Sequence, residues 1–392
     1  MGCDAAARFL WRDEYRLYDF GHGHPLNPIR LAATRDLIAA LGWLAADQEA
    51  APPPATEAEL EWAHTRAYIE AVTAAGELGL SPGELAAWGL GTDDNPVFRG
   101  MHEASLYYVG GTLAGARYVA EAPDRHAFNP AGGLHHARAS RASGFCVYND
   151  LVVAIRWLRR ERGFRVAYVD TDAHHGDGVE AAFYDDPGVL TVSLHESGRY
   201  LFPGTGAVED RGQGAAYGTA VNVPLEPATD DVSWLEAFDR VVPAALEAFA
   251  PDVLVTQHGC DSHVWDPLAD LSLTTWVYRE AVRRLHAYAH RWCGGRWLAV
   301  GGGGYEALRV VPRAWAMVWG EMRGQETAVA VPEAWVRRWQ GLSPAPLPPV
   351  MVDPPETAGL ETDRMLLARA LNRRTVTRLL AGVPWGPTVG WS

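Results

Sequence analysis

The chain has 392 residues, 48% of them hydrophobic and 21% charged, the composition of a globular protein rather than a disordered or fibrous one. No apolar stretch is long and charge-free enough to span a bilayer, so a membrane role is not expected. The net charge of −14 argues against DNA, which is bound by an excess of cations, and suits a cationic substrate. The N-terminus lacks a basic region followed by an apolar core, so no secretory signal is expected. Cys3, Cys146, Cys260 and Cys293 are scattered with no C-x-x-C pair. That spacing points to neither a disulfide framework nor a thiolate zinc knuckle, and makes a reduced cytoplasm the expected setting. All 34 basic residues are arginine, so the chain has no side-chain amine of its own.

Residues 9–20 are aromatic-rich and read as a first strand, with a turn at GHGHP, residues 21–25. Asn27 caps a helical pattern over 28–41, closed by Gly42. Three prolines at 52–54 break the chain, and Thr56-x-x-Glu59 is a capping box opening a helix to about residue 78. Residues 89–95 form a polar loop, and a small-residue-rich helix is expected over 101–120. Beyond Phe128 the pattern alternates. Strands are expected at 166–170, 189–194, 219–223, 252–257 and 296–300, and helices at 150–161, 177–184, 231–249, 274–292 and 305–319. Such alternation is the signature of an α/β protein with a parallel sheet covered on both faces. Residues 342–355 are proline-rich, a linker or a wrapped arm, and 361–380 read as a helix.

The unusual residues fall in loops after strands, where open α/β sheets bind ligands. VDTDAHHGD at 169–177 follows the apolar run RVAYV. Asp170, Asp172 and His174 are spaced by two, so on an extended chain they project to one side. Carboxylates and an imidazole converging there can hold a divalent cation such as Zn²⁺. A lone Asp-x-Asp is more often an acidic cap; the longer motif after a strand favours a metal site. Asp261, in QHGCD at 257–261, follows another strand and is the candidate third ligand. Two carboxylates and one imidazole leave a coordination position open, as in catalytic zinc sites.

In GGLHHA at 132–137, His135 and His136 suit acid/base work. Each needs an orienting partner, and Asp170 and Asp177 are available. In SGFCVYND at 143–150, Gly144 permits close backbone approach to a ligand and Phe145 suits a pocket wall, while Asn149 or Asp150 suits a helix cap. In RYLFPGTG at 199–206, Phe202 is either core or a wall opposite Phe145. GGGGY at 301–305 lacks both G-x-G-x-x-G and a P-loop lysine. The alternative is a mobile loop that swings the Tyr305 hydroxyl over the metal to donate to an oxyanion.

Together, GGLHHA, ASGFCVYND, VDTDAHHGDGVE, LHESGRYLFPGTG at 194–206, QHGCD and GGGGY resemble the histone deacetylase family, and within it the acetoin utilization branch. HPLNPIR at 24–30 and GTDDNP at 91–96 are similar to further family segments. The resemblance implies an arginase/deacetylase-like three-layer α/β fold with a central, mainly parallel sheet. A catalytic domain is expected over 1–340, with a proline-rich linker and helical extension over 341–392 packed on or near it. The implied metal ligands are Asp172, His174 and Asp261, for Zn²⁺ or Fe²⁺. His135 and His136 resemble the tandem catalytic histidines, supported by Asp170 and Asp177, and Tyr305 the carbonyl-polarising tyrosine. Gly144, Phe145, Leu201 and Phe202 match the acyl-lysine tunnel, Asp94 the rim carboxylate, and Arg30 the arginine near the acetate-release channel. Structural K⁺ is implied at Asp170, Asp172, His174, Ser193 and Leu194, and a second ion at Phe183, Asp186 and Val189, where a further family position falls on Thr219.

The activity implied is metal-dependent hydrolysis of Nε-acetyl-lysine in proteins, with an acylated metabolic enzyme such as an acetyl-CoA synthetase as partner. An acetylpolyamine amidohydrolase is the competing enzyme class, and an acyl-lysine-binding module the non-enzymatic one. The presence of every ligand, both histidines and Tyr305 speaks against a dead site.

Overall fold

The computed structural model describes residues 6–386. Its strands are β1 (Ala6–Leu10), β2 (Glu49–Ala50), β3 (Arg125–Asn129), β4 (Val166–Asp170), β5 (Val189–Glu196), β6 (Ala220–Leu225), β7 (Val253–Gln257) and β8 (Trp297–Val300). They form one sheet in the order β2-β1-β3-β8-β7-β4-β5-β6, with every pairing parallel. The inner strands β4, β7 and β8 are mostly apolar and buried along their whole length, as a sheet covered on both faces requires.

The helices are α1 (Ile29–Ala40), α2 (Glu57–Leu60), α3 (Arg66–Gly76), α4 (Pro82–Ala87), α5 (Met101–Glu121), α6 (Asp150–Arg162), α7 (Asp177–Phe183), α8 (Asp231–Phe249), α9 (Thr275–Cys293), α10 (Val311–Met322), α11 (Glu333–Trp339) and α12 (Asp363–Gly382). α5 packs on α3, α6 and β3 on one side of the sheet, while α1, α10, α9 and α8 pack in succession on the other. The result is the three-layer α/β fold of arginase/deacetylase type. α12 lies against α8 and β6. There Asn372 Nδ2 donates to Thr229 Oγ1 at 2.7 Å and Ser233 Oγ at 2.9 Å. Trp335 Nε1 of α11 donates to the Ala33 carbonyl of α1 at 3.0 Å.

Several elements differ from the sequence reading. The first strand is Ala6–Leu10, and the aromatic stretch after it turns into a 3-10 helix over Asp13–Leu17. The Thr56–Glu59 capping box forms, but its helix stops at Leu60. Thr65 starts a new one because its N–H donates to the Ala139 carbonyl at 2.9 Å, pulling the chain toward the loop that carries the histidine pair. The last core helix begins at Val311, six residues late, since the glycine run and its sequel are held as a loop. The sequence reading places no element at β2, β3, α4 or α11. Cys146, Cys260 and Cys293 are buried free thiols; Cys3 lies outside the described residues, as do 387–392.

Candidate active site

β3, β8, β7 and β4 are consecutive neighbours in the sheet, so the loops after their carboxyl ends meet over one patch. His135 and His136 come from the β3 loop, Tyr305 from β8, Asp261 from β7, and Asp172 and His174 from β4. The strand ends at Asp170, so the extended-chain argument carries only that far. Asp170 turns to the histidine pair, while Asp172 and His174 lie in the bend beyond.

One ligand atom each of Asp172, His174 and Asp261 lies within 4.8 Å of the others, and all three residues are buried. His174 Nδ1 is 3.1 Å from Asp172 Oδ1 and 2.9 Å from Asp261 Oδ2. The neighbouring His175 faces Thr205 and Glu180 instead. Burial, then repulsion from Asp172, pushes the Asp261 carboxyl up to about 6. Two repelling carboxylates in a dry site with one imidazole between them form a donor set that a divalent cation completes. The spare carboxylate positions are fixed. Asp172 Oδ2 accepts from Gln257 Nε2 and from the Gly303 N–H, each at 2.7 Å. Asp261 Oδ1 accepts from the Ala173 N–H at 2.8 Å. Outer-shell bonds of this kind orient metal ligands.

The histidine pair is built symmetrically. His135 Nδ1 lies 2.8 Å from Asp170 Oδ2, His136 Nδ1 lies 2.7 Å from Asp177 Oδ1, and the two Nε2 atoms are 3.0 Å apart. Tyr168 Oη donates to Asp170 at 2.6 Å, and Arg138 Nη2 to Asp177 at 2.7 Å. Asp150 holds the loop itself, accepting from the Gly133 and Leu134 N–H groups at 2.9 Å each. Burial opposes charge on both rings. At His135 the Asp170 and Asp172 carboxylates override it and raise the imidazole to about 9. At His136 burial, reinforced by the charge on His135, lowers it to about 3. Opposed shifts in adjacent groups separate an acid from a base.

Tyr305 faces inward: its ring packs edge-on against Phe145 at 5.6 Å and His174 at 6.4 Å between centroids. The loop is anchored at three points in this conformation. Arg30, buried over the Trp315 ring, donates to the Gly302 carbonyl at 2.8 Å and the Gly304 carbonyl at 3.0 Å. The Asp266 carboxylate accepts the Tyr305 N–H at 2.7 Å. Gly303 is needed because a Cβ there would overlap Asp261 Oδ2 and Asp172 Oδ2. Burial, then the Asp261 and Asp172 charges, raises the Tyr305 phenol well above its ordinary value, so it stays a proton donor.

Phe202 packs edge-on to His136 at 5.1 Å and is 42% exposed, as a rim residue must be. Leu201 beside it is half-buried. Gly144 has φ +51, and a Cβ there would strike His136 and Phe202. Phe145 has φ 66, a costly conformation for a residue with a Cβ. Asp94 is exposed on its loop, and its carbonyl is 3.3 Å from His24 Nε2. Ser193 stands opposite Asp170 in the β4–β5 pairing, next to Leu194. Phe183 ends α7, Val189 begins β5, and Asp186 lies in the turn between them, where the Arg159 guanidinium pairs with it at 3.0 Å. Gln257, Arg30's hold on the glycine loop and Asp266 were missed as supports. Gln257 and Asp266 flank Asp261 in the sequence, and that proximity was the available signal.

Residues 24–322 match the family model described as histone deacetylase domain. The chain belongs to the histone deacetylase family. It is 47% identical over 346 residues to the acetoin utilization protein AcuC of Bacillus subtilis (strain 168), covering 88% of this chain and 89% of that protein. It is 36% identical over 374 residues to the AcuC of Staphylococcus xylosus, covering 95% and 97%. Among solved structures it is similar to an HDAC homologue complexed with SAHA, with a TM-score of 0.81 at 29% identity, covering 95% of this chain and 99% of that one. An HDAC homologue from Aquifex aeolicus gives 0.80 at 29% identity, with the same coverage. The chain is therefore an enzyme of the deacetylase class. No helix among the described residues is long and apolar enough to cross a membrane.

Proposed function

We propose that this enzyme is a metal-dependent lysine deacetylase of acetoin utilization type, hydrolysing the amide of Nε-acetyl-lysine in proteins and releasing acetate. The observation that carries the reading is the meeting of the Asp172–His174–Asp261 donor set with the paired histidines and the inward Tyr305. A Zn²⁺ or Fe²⁺ ion held there would supply Lewis acidity, which makes water more acidic and polarises an amide carbonyl. His136, kept neutral, takes the proton from the attacking water at Nε2. The carbonyl oxygen gains charge as the water oxygen bonds to carbon, and the Tyr305 hydroxyl donates to it. His135, held at Nδ1 by the Asp170 carboxylate, delivers a proton to the lysine nitrogen as the C–N bond breaks, and acetate and a free amine leave. Phe145, Phe202, Leu201 and Gly144 wall the acyl chain, and Asp94 accepts from substrate backbone amides. Structural K⁺ is proposed at the Asp170–Ser193–Leu194 group, whose oxygens suit a hard cation; Arg159 already supplies positive charge at the second turn.

The catalytic unit is proposed to span 1–340, with 341–392 an extension docked on it, and the enzyme to act in the cytoplasm on acylated metabolic proteins such as an acetyl-CoA synthetase. The test is turnover of an acetyl-lysine peptide, an acetylated protein and an acetylpolyamine, each with and without chelator. Chelator-sensitive release of acetate from peptide and protein supports the reading. Preference for the polyamine moves the enzyme to the amidohydrolase class, and binding without turnover makes it an acyl-lysine reader.

A further inference from the structure

At the other end of the strands, a second group of imidazoles shares no residue with the catalytic site. His126 lies near the start of β3, and His286 and His290 lie one turn apart on α9, on one face of the helix. His126 Nε2 is 3.1 Å from His286 Nε2, and His290 Nε2 is 3.1 Å from the same atom. The three offer ligand atoms within 4.8 Å of one another. His126 is fully buried; among the described residues its Nε2 meets His286 inside this group, and its Nδ1 has no hydrogen-bond partner of good geometry.

The outer nitrogens of two of these rings lie beside carboxylates. His286 Nδ1 faces Glu321 Oε1 at 3.2 Å, and His290 Nδ1 faces Asp124 Oδ1 at 3.2 Å. A carboxylate accepts, so a neutral ring there would carry its hydrogen on Nδ1 and turn the Nε2 lone pair inward; the His286–Glu321 contact has hydrogen-bond geometry, and His290–Asp124 is within ion-pair distance. Two lone pairs then oppose each other at 3.1 Å between His286 and His290, with the third nitrogen beside them. Either a proton held on one ring, as at the catalytic pair, or a metal ion relieves this contact. Metal–nitrogen bonds of about 2.0–2.1 Å at tetrahedral angles place nitrogens about 3.3 Å apart, close to the spacing found. An imidazole that donates its other N–H to a carboxylate is also the usual arrangement around a bound metal. The side chains of His286 and His290 are 15% and 27% exposed, and Asp124 is 62% exposed. One side of the group therefore opens to water, which gives an entry path and a fourth ligand.

We infer that His126, His286 and His290 form a second, three-histidine site for a divalent transition metal ion such as Zn²⁺, with Glu321 and Asp124 as its outer carboxylates. The ion ties β3 to α9 and, through Glu321, to α10. It is a site of attachment between layers, remote from the chemistry, and stands independently of the catalytic reading.

The test is metal stoichiometry of the full chain, dialysed against Zn²⁺ and counted by mass spectrometry, with peptide deacetylation measured on the same samples. Wild type is expected to hold two equivalents. His290→Ala should hold one and keep its activity, since His290 touches no catalytic residue. Glu321→Gln leaves all three ligands in place and should weaken the second equivalent by about 10–100-fold. Asp261→Ala should keep one equivalent, which separates failure of the catalytic site from failure of this one. A wild-type count of one, or an unchanged count in His290→Ala together with unchanged affinity in Glu321→Gln, would overturn the inference.

Discussion

The Asp353 carboxylate lies 2.9 Å from His263 Nε2, although 90 residues separate them in the chain. Asp353 belongs to the proline-rich arm, and His263 to the loop that begins at Asp261. The same carboxylate accepts from Arg313 Nη1 at 2.7 Å, the Thr275 N–H at 2.9 Å and Thr275 Oγ1 at 2.8 Å. The arm is thereby fastened to the strand loop that carries a candidate metal ligand.

Removing that fastening should be costly. Arg313 and Asp353 side chains are each 1% exposed, and breaking a buried pair from one side leaves a charge uncompensated, worth about 3–5 kcal/mol. Asp353→Ala should lower urea-unfolding stability by that order; a loss under about 1 kcal/mol would show the pair to be dispensable. Burial works against the Asp353 charge, but His263 and Arg313 outweigh it and hold its carboxyl well below the usual range. A carboxyl depressed on folding stabilises fully above its unfolded value of about 4 and loses that contribution as pH falls further. Wild type should therefore lose more stability than Asp353→Ala between about pH 4 and pH 2.

Metal content should follow the backbone as well as the ligands. Asp261→Ala removes one carboxylate of the donor set and should lose that metal ion and activity together. Gly303→Ala alters no charge, yet its Cβ would overlap Asp261 Oδ2 and Asp172 Oδ2. It should show the same paired loss in metal analysis and turnover. Full occupancy and activity in Gly303→Ala would mean that the loop moves aside freely.

Tyr305→Phe isolates the hydroxyl. The ring packs on Phe145 and His174, so the fold and the metal should persist. Turnover should drop by about 10²–10³, the usual cost of one oxyanion donor. Unchanged kcat on an acetyl-lysine peptide would take Tyr305 out of the reaction.

Selectivity should reside at the rim. Asp94 is exposed on its loop, free to accept N–H groups, and an acetyl-lysine peptide has amides flanking the reacting side chain where an acetylpolyamine has none. Asp94→Ala should depress kcat/KM for peptides by about 1.5–3 kcal/mol, one charged hydrogen bond, and leave acetylpolyamines nearly unaffected. Paired kinetics on the two substrates decide it, and equal losses would reduce Asp94 to a loop residue.

The sequence alone determined the alternation of strands and helices, hence the class of sheet, because buried parallel strands are legible as apolar runs and their helices as periodic ones. It also determined which residues were chemically unusual, since DTDAHHGD, LHHA and GGGGY are local patterns. Tertiary structure alone decided which groups support them. β4 ends at Asp170 and the chain bends there, which turns Asp170 to His135 in the role the family resemblance implied. Gln257 orients Asp172, Arg30 anchors the Tyr305 loop, and Asp353 reaches His263. The helix expected after Thr56 breaks because a loop more than seventy residues downstream claims the Thr65 N–H. Each of these is a contact between groups distant along the chain. Local propensity and spacing carry no information about such contacts, and packing of the completed sheet and its two helical layers does.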